Sequence, residues 1–217
     1  MALTSVNPAL LDSQAQYTAF KNRIINGAMQ IDQRNAGASI TPINGQFSVD
    51  RFVLNLSQAS KFTIQQNAGS VTPPVGFSNY MGATSSSAYA VATGDYFLVS
   101  QLIEGFNVAD LAWGTANAKA VTLSFQVYSS LTGTFGGSIN NSANNRSYPF
   151  SYTVSASNTW TSVSVTIPGD TSGTWYTNSN TGLILRFSIG TGTTYSGSAG
   201  SWSGSTYYSA TGATSVV

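Results

Sequence analysis

The chain has 217 residues, 7% of them charged, with eight Lys and Arg against seven Asp and Glu and with neither His nor Cys. That composition excludes a disulfide framework, imidazole or thiol nucleophiles, His- or Cys-held zinc and Cys-held iron–sulfur clusters, so no metal and no cofactor is expected. It offers no basic patch for a phosphate backbone, which argues against nucleic acid as a partner. Aromatic residues make up 12% of the chain, too many for a disordered segment, and the length suits one all-β domain. No run of 18 apolar residues exists to cross a membrane, and residues 1–11 lack the charged start and apolar stretch of a signal peptide.

In chain order, Asn7-Pro8 reads as a helix start, Asn capping and Pro in the first helical position. Leu10, Leu11, Tyr17, Phe20 and Ile24 fall on one stripe of such a helix. Residues 1–22 are therefore expected to form a short helix or an extended arm, with Leu10, Leu11, Tyr17 and Phe20 as an assembly interface; a frayed terminus is the simpler alternative. Residues 23–217 form the second unit, a β domain. Residues 22–35 read as a strand broken by a turn at Asn26-Gly27. Residues 47–57 read as a strand with Phe52, Leu54 and Leu56 on one side, and residues 60–66 as its hairpin partner. Residues 67–95 are loop-rich. Residues 96–103 read as a buried strand, and Asn107 to Leu111 as one helical turn.

Lys119 to Ser130 alternates Val121, Leu123, Phe125 and Val127 with Thr122, Ser124, Gln126 and Tyr128. Successive strand side chains point to opposite faces, so this is the expected central strand of an antiparallel sheet. Val163, Val165 and Ile167 repeat the pattern, as do Leu183, Leu185, Phe187 and Ile189. Gly136-Gly137 marks a bend, and residues 146–155 and 159–167 read as a hairpin ended by Pro168-Gly169-Asp170. Three such ladders need a second layer to cover them, which gives an antiparallel β-sandwich. The expected core is Phe52, Leu54, Val121, Leu123, Phe125, Val127, Val163, Val165, Leu185 and Phe187, with Trp113 and Trp160.

Several short stretches stand in a particular order. Asn26-Gly27, Met29, Ile31 and Gln33-Arg34 precede Val49-Asp50-Arg51-Phe52. Ser100-Gln101, Glu104-Gly105 and Leu111 to Thr115 follow, then the ladder from Leu123 to Ile139, Trp160, Ile167 to Asp170, Gly173-Thr174-Trp175 and Leu183 to Leu185. Over residues 22–217 this resembles a family of jelly-roll virion proteins from tailed bacteriophages, whose members are tail-fibre, tail or capsid-decorating components. The resemblance implies an antiparallel jelly-roll β-sandwich in a virion, assembled in the host cytoplasm beside other virion proteins. Related fibres and decorations are commonly trimeric, so it also implies a homo-oligomer. Family members continue with a further strand carrying an apolar-x-Q-[LV]-E motif. The sequence here stops at Val217, so the closing strand is expected either beyond it or from a neighbour.

Chemistry is sparse. Asp95, Glu104, Asp110 and Asp170 could supply a carboxylate pair for glycoside hydrolysis, but capping and ion pairing are the commoner uses of isolated carboxylates. Glu104 is expected to pair with Lys119 or Arg51, Asp110 to cap the turn, and Asp170 to form a Pro-Gly-Asp turn rather than a calcium site. No catalytic residues are assigned. Trp175, Tyr176, Tyr195, Trp202 and Tyr207 sit among small polar residues and are the candidates for stacking on sugar rings; capping the sandwich ends or lining an interface is the alternative. The expected function is a non-enzymatic virion structural protein, with recognition of a host-surface glycan as the alternative.

Overall fold

The computed structural model describes residues 21–217, so the expected interface of Leu10, Leu11, Tyr17 and Phe20 lies outside the described residues. The body is an all-β jelly-roll sandwich in which every strand pair but one short parallel contact is antiparallel. Its larger layer has five strands in the order β1 (Phe52–Leu56), β4 (Tyr96–Glu104), β9 (Thr181–Thr191), β6 (Gly133–Asn140) and β7 (Ser147–Val154). The covering layer is split into two pairs, β2 (Phe62–Gln66) with β3 (Met81–Ser85), and β5 (Val121–Val127) with β8 (Thr161–Ile167). The chain changes layer at most of its connections, which is why sequence neighbours rarely pair.

The split makes two core clusters against one face of the large sheet. Under β2–β3 lie Phe52, Leu54, Phe62, Ile64, Phe97 and Val99. Under β5–β8 lie Ile103, Leu123, Ile139, Phe150, Ile167 and Leu185. The alternation read in β5 holds: Thr122, Ser124 and Gln126 are exposed, while Val121, Leu123, Phe125 and Val127 turn inward. Position in the sheet does not hold. β5 belongs to the small two-stranded layer, and the centre of the large sheet is β9, flanked by β4 and β6. Of the expected core, Phe52, Leu54, Leu123 and Leu185 are buried. Val121, Phe125, Val127, Val163, Val165 and Phe187 are half-buried, because a two-stranded cover leaves its flanks open.

Other pairings also differ. Residues 60–66 pair with β3 inside the stretch read as loop, not with β1, which pairs with β4. Residues 146–155 and 159–167 form no hairpin; they enter different layers as β7 and β8. Residues 22–35 form turns rather than a broken strand. Gly136-Gly137 is not a bend but mid-strand in β6. A Cβ on Gly137 would lie 2.3 Å from the Arg186 carbonyl oxygen and 2.5 Å from the Phe150 ring, so glycine lets two strands and an aromatic meet there. Trp113 is in the core, but Trp160 is half-buried outside both clusters, against Tyr80 and Tyr128.

The pairing of β6 with β9 covers only Gly137–Asn140. Beyond it the strands part, and residues 214–216 fill the gap. The Thr214 N–H donates to the Thr134 carbonyl (2.7 Å) and the Val216 N–H to the Ile189 carbonyl (2.7 Å), while Val217 is buried in the β2–β3 cluster. At the β7 edge, Pro149 removes a donor and Ser147 bridges to Ser203, which closes part of an otherwise open edge.

Candidate functional site

One end of the sandwich is built from the turns after β4, the loop before β9 and the first described residues. Two 3-10 turns, Gly105–Asn107 and Ala109–Leu111, follow β4. No side chain caps the second turn, and the Asn107 amide donates to Glu104 Oε2 (3.3 Å). The Gly105 N–H donates to the Asn180 carbonyl (2.8 Å) and the Phe106 N–H to the Asn178 carbonyl (3.0 Å). The two loops are so close that a Cβ on Gly105 would lie 2.4 Å from the Tyr176 carbonyl oxygen. On this fixed seam Phe106 is 67% exposed and Tyr176 42% exposed, beside the exposed Asn107, Asn178 and Asn180.

The carboxylates of this end are engaged by arginines. Glu104 accepts from Arg51 Nη2 (2.7 Å), and this contact holds its carboxyl below the usual range. Arg51 is one of the two partners expected for Glu104. It reaches Glu104 from a left-handed turn (φ 76) just before β1, while Asp50 turns to the Gln33 N–H and Arg34. Asp110 does not cap a turn. It accepts a two-pronged contact from Arg23 (2.9 and 2.7 Å), with Lys21 at 3.4 Å, and the Arg23 guanidinium pulls its pKa down to about 2. Arg23 also donates to the Asn107 carbonyl. Gln101, buried on the core face of β4, clasps the backbone of Ile25 with both ends of its amide (2.9 and 2.8 Å). The start of the described chain is thus stitched to one end of the body.

Beneath this end Trp113, Trp175 and Trp202 pack edge to face, with centroids 4.7 to 5.5 Å apart. Trp175 is buried and donates to the Ser172 carbonyl; Trp202 is half-buried and donates to the Pro168 carbonyl. As sugar-stacking residues these two are corrected: their faces are spent on each other and on Trp113. Arg146 holds the loop below through a two-pronged contact with Asp170 (2.7 and 2.6 Å), and Asp170 also accepts from the Ser172 N–H, so the expected turn role comes with a buried ion pair.

Tyr195 and Tyr207 sit apart from Tyr176. Tyr195 stacks on Tyr208 at 4.8 Å and meets Tyr96 edge-on, on the outer face of the large sheet. The Tyr207 carbonyl accepts from Asn140, and its ring lies against Gly197, where an added Cβ would be 2.3 Å away. Of the five sequence candidates only Tyr176 is exposed, and the structure does not bring them together. Phe106 escapes sequence reasoning, since an aromatic in a glycine-flanked turn reads as a core residue until the turn's direction is known.

The other end of the β5–β8 pair carries a second aromatic group. Trp160 meets Tyr80 and Tyr128 and donates to the Thr72 carbonyl (2.8 Å), and the Asn158 N–H donates to the Ser129 carbonyl (2.7 Å). Val75, Phe77 and Leu131 in these loops are exposed. Among the described residues no helix is long and apolar enough to cross a membrane. Comparison of the chain with known protein families, curated proteins and solved structures finds no match.

Proposed function

We propose that this chain is a non-enzymatic structural component of a tailed-phage virion, a tail fibre or capsid decoration, which displays its sandwich on the particle. The observation that carries the reading is the junction at residues 21–25. Arg23 to Asp110 and Gln101 to Ile25 pin residues 21–25 to one end of the body, and the sequence attached there carries the apolar Leu10, Leu11, Tyr17 and Phe20 that suit a platform or a neighbouring subunit. The carboxylates that could have served hydrolysis are engaged as ion-pair or hydrogen-bond acceptors: Glu104 with Arg51, Asp110 with Arg23, Asp170 with Arg146, and Asp95 with Ser57 and Tyr89. A surface that relies on Ser, Thr, Asn and Gly rather than charge suits a densely packed assembly. The experiment is to purify particles and probe them with a label on this chain: the reading expects it at a fixed place on every particle, and its absence from washed particles would contradict it.

A carbohydrate-binding module is the second reading, favoured by Phe106 and Tyr176. Rigidly held exposed aromatics stack on sugar faces, and the Asn107, Asn178 and Asn180 amides can meet hydroxyls. A glycan array with the wild-type chain and a Tyr176→Ala, Phe106→Ala variant tests it. Binding lost in the variant supports the reading, and no glycan bound by the wild type rejects it.

A further inference from the structure

The large sheet has two outer strands, β1 and β7, and the chain treats them differently. Residues 44–48 cover β1 along its length. The Gly45 N–H donates to the Leu54 carbonyl (2.8 Å), the Leu54 N–H to the Gln46 carbonyl (2.8 Å), the Ser48 N–H to the Phe52 carbonyl (3.0 Å) and the Leu56 N–H to the Asn44 side chain (3.1 Å). β7 is covered over its first half. Ser147 exchanges two backbone hydrogen bonds with Ser203 (3.0 and 2.8 Å), and the Pro149 carbonyl accepts from the Gly200 N–H (2.9 Å). Backbone groups that point away from the neighbouring strand recur at every second residue, so the next along this edge belong to Ser151 and Thr153. Both residues are exposed, and their N–H and C=O groups have no hydrogen-bond partner among the described residues.

Beside this open half the two layers part. Tyr148, Phe150 and Ser151 of β7, Val165 of β8, and Ala199 and Gly200 line a cleft of about 230 Å³. Pockets for small-molecule ligands run to roughly 300–1,000 Å³, so this one suits an apolar side chain better than a free ligand. Open edges are ordinarily blunted by charge or by proline, and residues 150–167 contain neither. We propose that an extended segment of a neighbouring virion subunit adds to the large sheet as a sixth strand along residues 151–153, with an apolar side chain seated in the cleft.

This names the kind of partner for the structural role proposed above and rests on that role. The added strand takes up the N–H and C=O groups of Ser151 and Thr153 and turns every second side chain toward Phe150 and Val165. The backbone bonds supply affinity and the cleft selects the side chain. The path is already set, because the segment continues the line of contact that residues 200–203 make on the same edge. Because this stretch of the edge carries no charge, the segment that fits it is uncharged there as well.

The test compares free full-length chain with chain assembled into particles, by hydrogen exchange over residues 147–154. Assembly should protect two further amides, those of Ser151 and Thr153. Thr153→Pro removes one outward N–H, as Pro149 already does on this edge, and should lower occupancy in particles roughly tenfold while the free chain still melts cooperatively. Ala199→Glu, at an exposed position, places a charge at the cleft mouth without touching the strand and should have the same effect. Unchanged exchange on assembly, or Ala199→Glu at wild-type occupancy, would overturn the inference and leave the virion role standing. Absence of the wild-type chain from washed particles would overturn both.

Discussion

Phe125→Ala probes whether the β5–β8 pair covers a core or merely lies on it. Phe125 is on the inner face of β5, opposite Val163, with Tyr152 and Phe187 edge to face, both at 5.0 Å. Truncating a fully buried Phe costs about 3–5 kcal/mol. Phe125 is half-buried, which removes part of that, but it also loses two aromatic pairs worth about 0.5–1.5 kcal/mol each. The expected loss is about 2–3 kcal/mol. The control is Gln126→Ala on the outer face, whose contact is an exposed hydrogen bond with Ser162 and whose loss should stay below about 0.5 kcal/mol. Equilibrium denaturation in urea, with unchanged slope, measures both. A Phe125→Ala loss below about 1 kcal/mol, or a larger loss at Gln126, would refute the inward register of β5.

Asp170→Asn should destabilise by about 3 kcal/mol, because it leaves Arg146 facing a loop without its counter-charge; thermal melts check it, and a shift within error would show the pair to be dispensable. Gly137→Ala should cost more than about 1 kcal/mol, since the new methyl meets a strand carbonyl and the Phe150 ring; a neutral result would mean that β6 and β9 can separate freely. Asp110 has a folded pKa of about 2 against an ordinary 3.8, so the stability it contributes is complete above about pH 4 and is lost as pH falls toward 2. Its part-exposed setting limits the effect to about 1 kcal/mol, and an Asp110→Asn variant should flatten that limb of the pH–stability curve.

The all-β class was legible because inward and outward residues alternate cleanly in β5 and β8, and period is a local property; β9, at the centre of the large sheet, is buried on both faces. Strand partners were not legible. In a sandwich whose chain keeps changing layer, the partner of residues 62–66 lies at 81–85, a stretch of Met, Gly, Ala, Thr and Ser with too little apolar character to announce itself. β6 was hidden for the same reason: Gly136 answers to Ser209 and Ala210 and Gly137 to Arg186 and Phe150, which only the fold brings near. At the candidate site, the ion pair of Glu104 with Arg51 could be anticipated from charge alone. Trp175 and Trp202 could not be told from surface aromatics, since small polar neighbours in sequence say little about three indoles that meet from separate loops.

Incorporation into particles is the most direct test of the proposed role. Particles assembled with a chain lacking residues 1–20 should contain none of it, although the truncated sandwich folds and melts cooperatively in solution. Truncated protein present in particles at wild-type occupancy would contradict the claim that this segment is how the sandwich is carried on a virion.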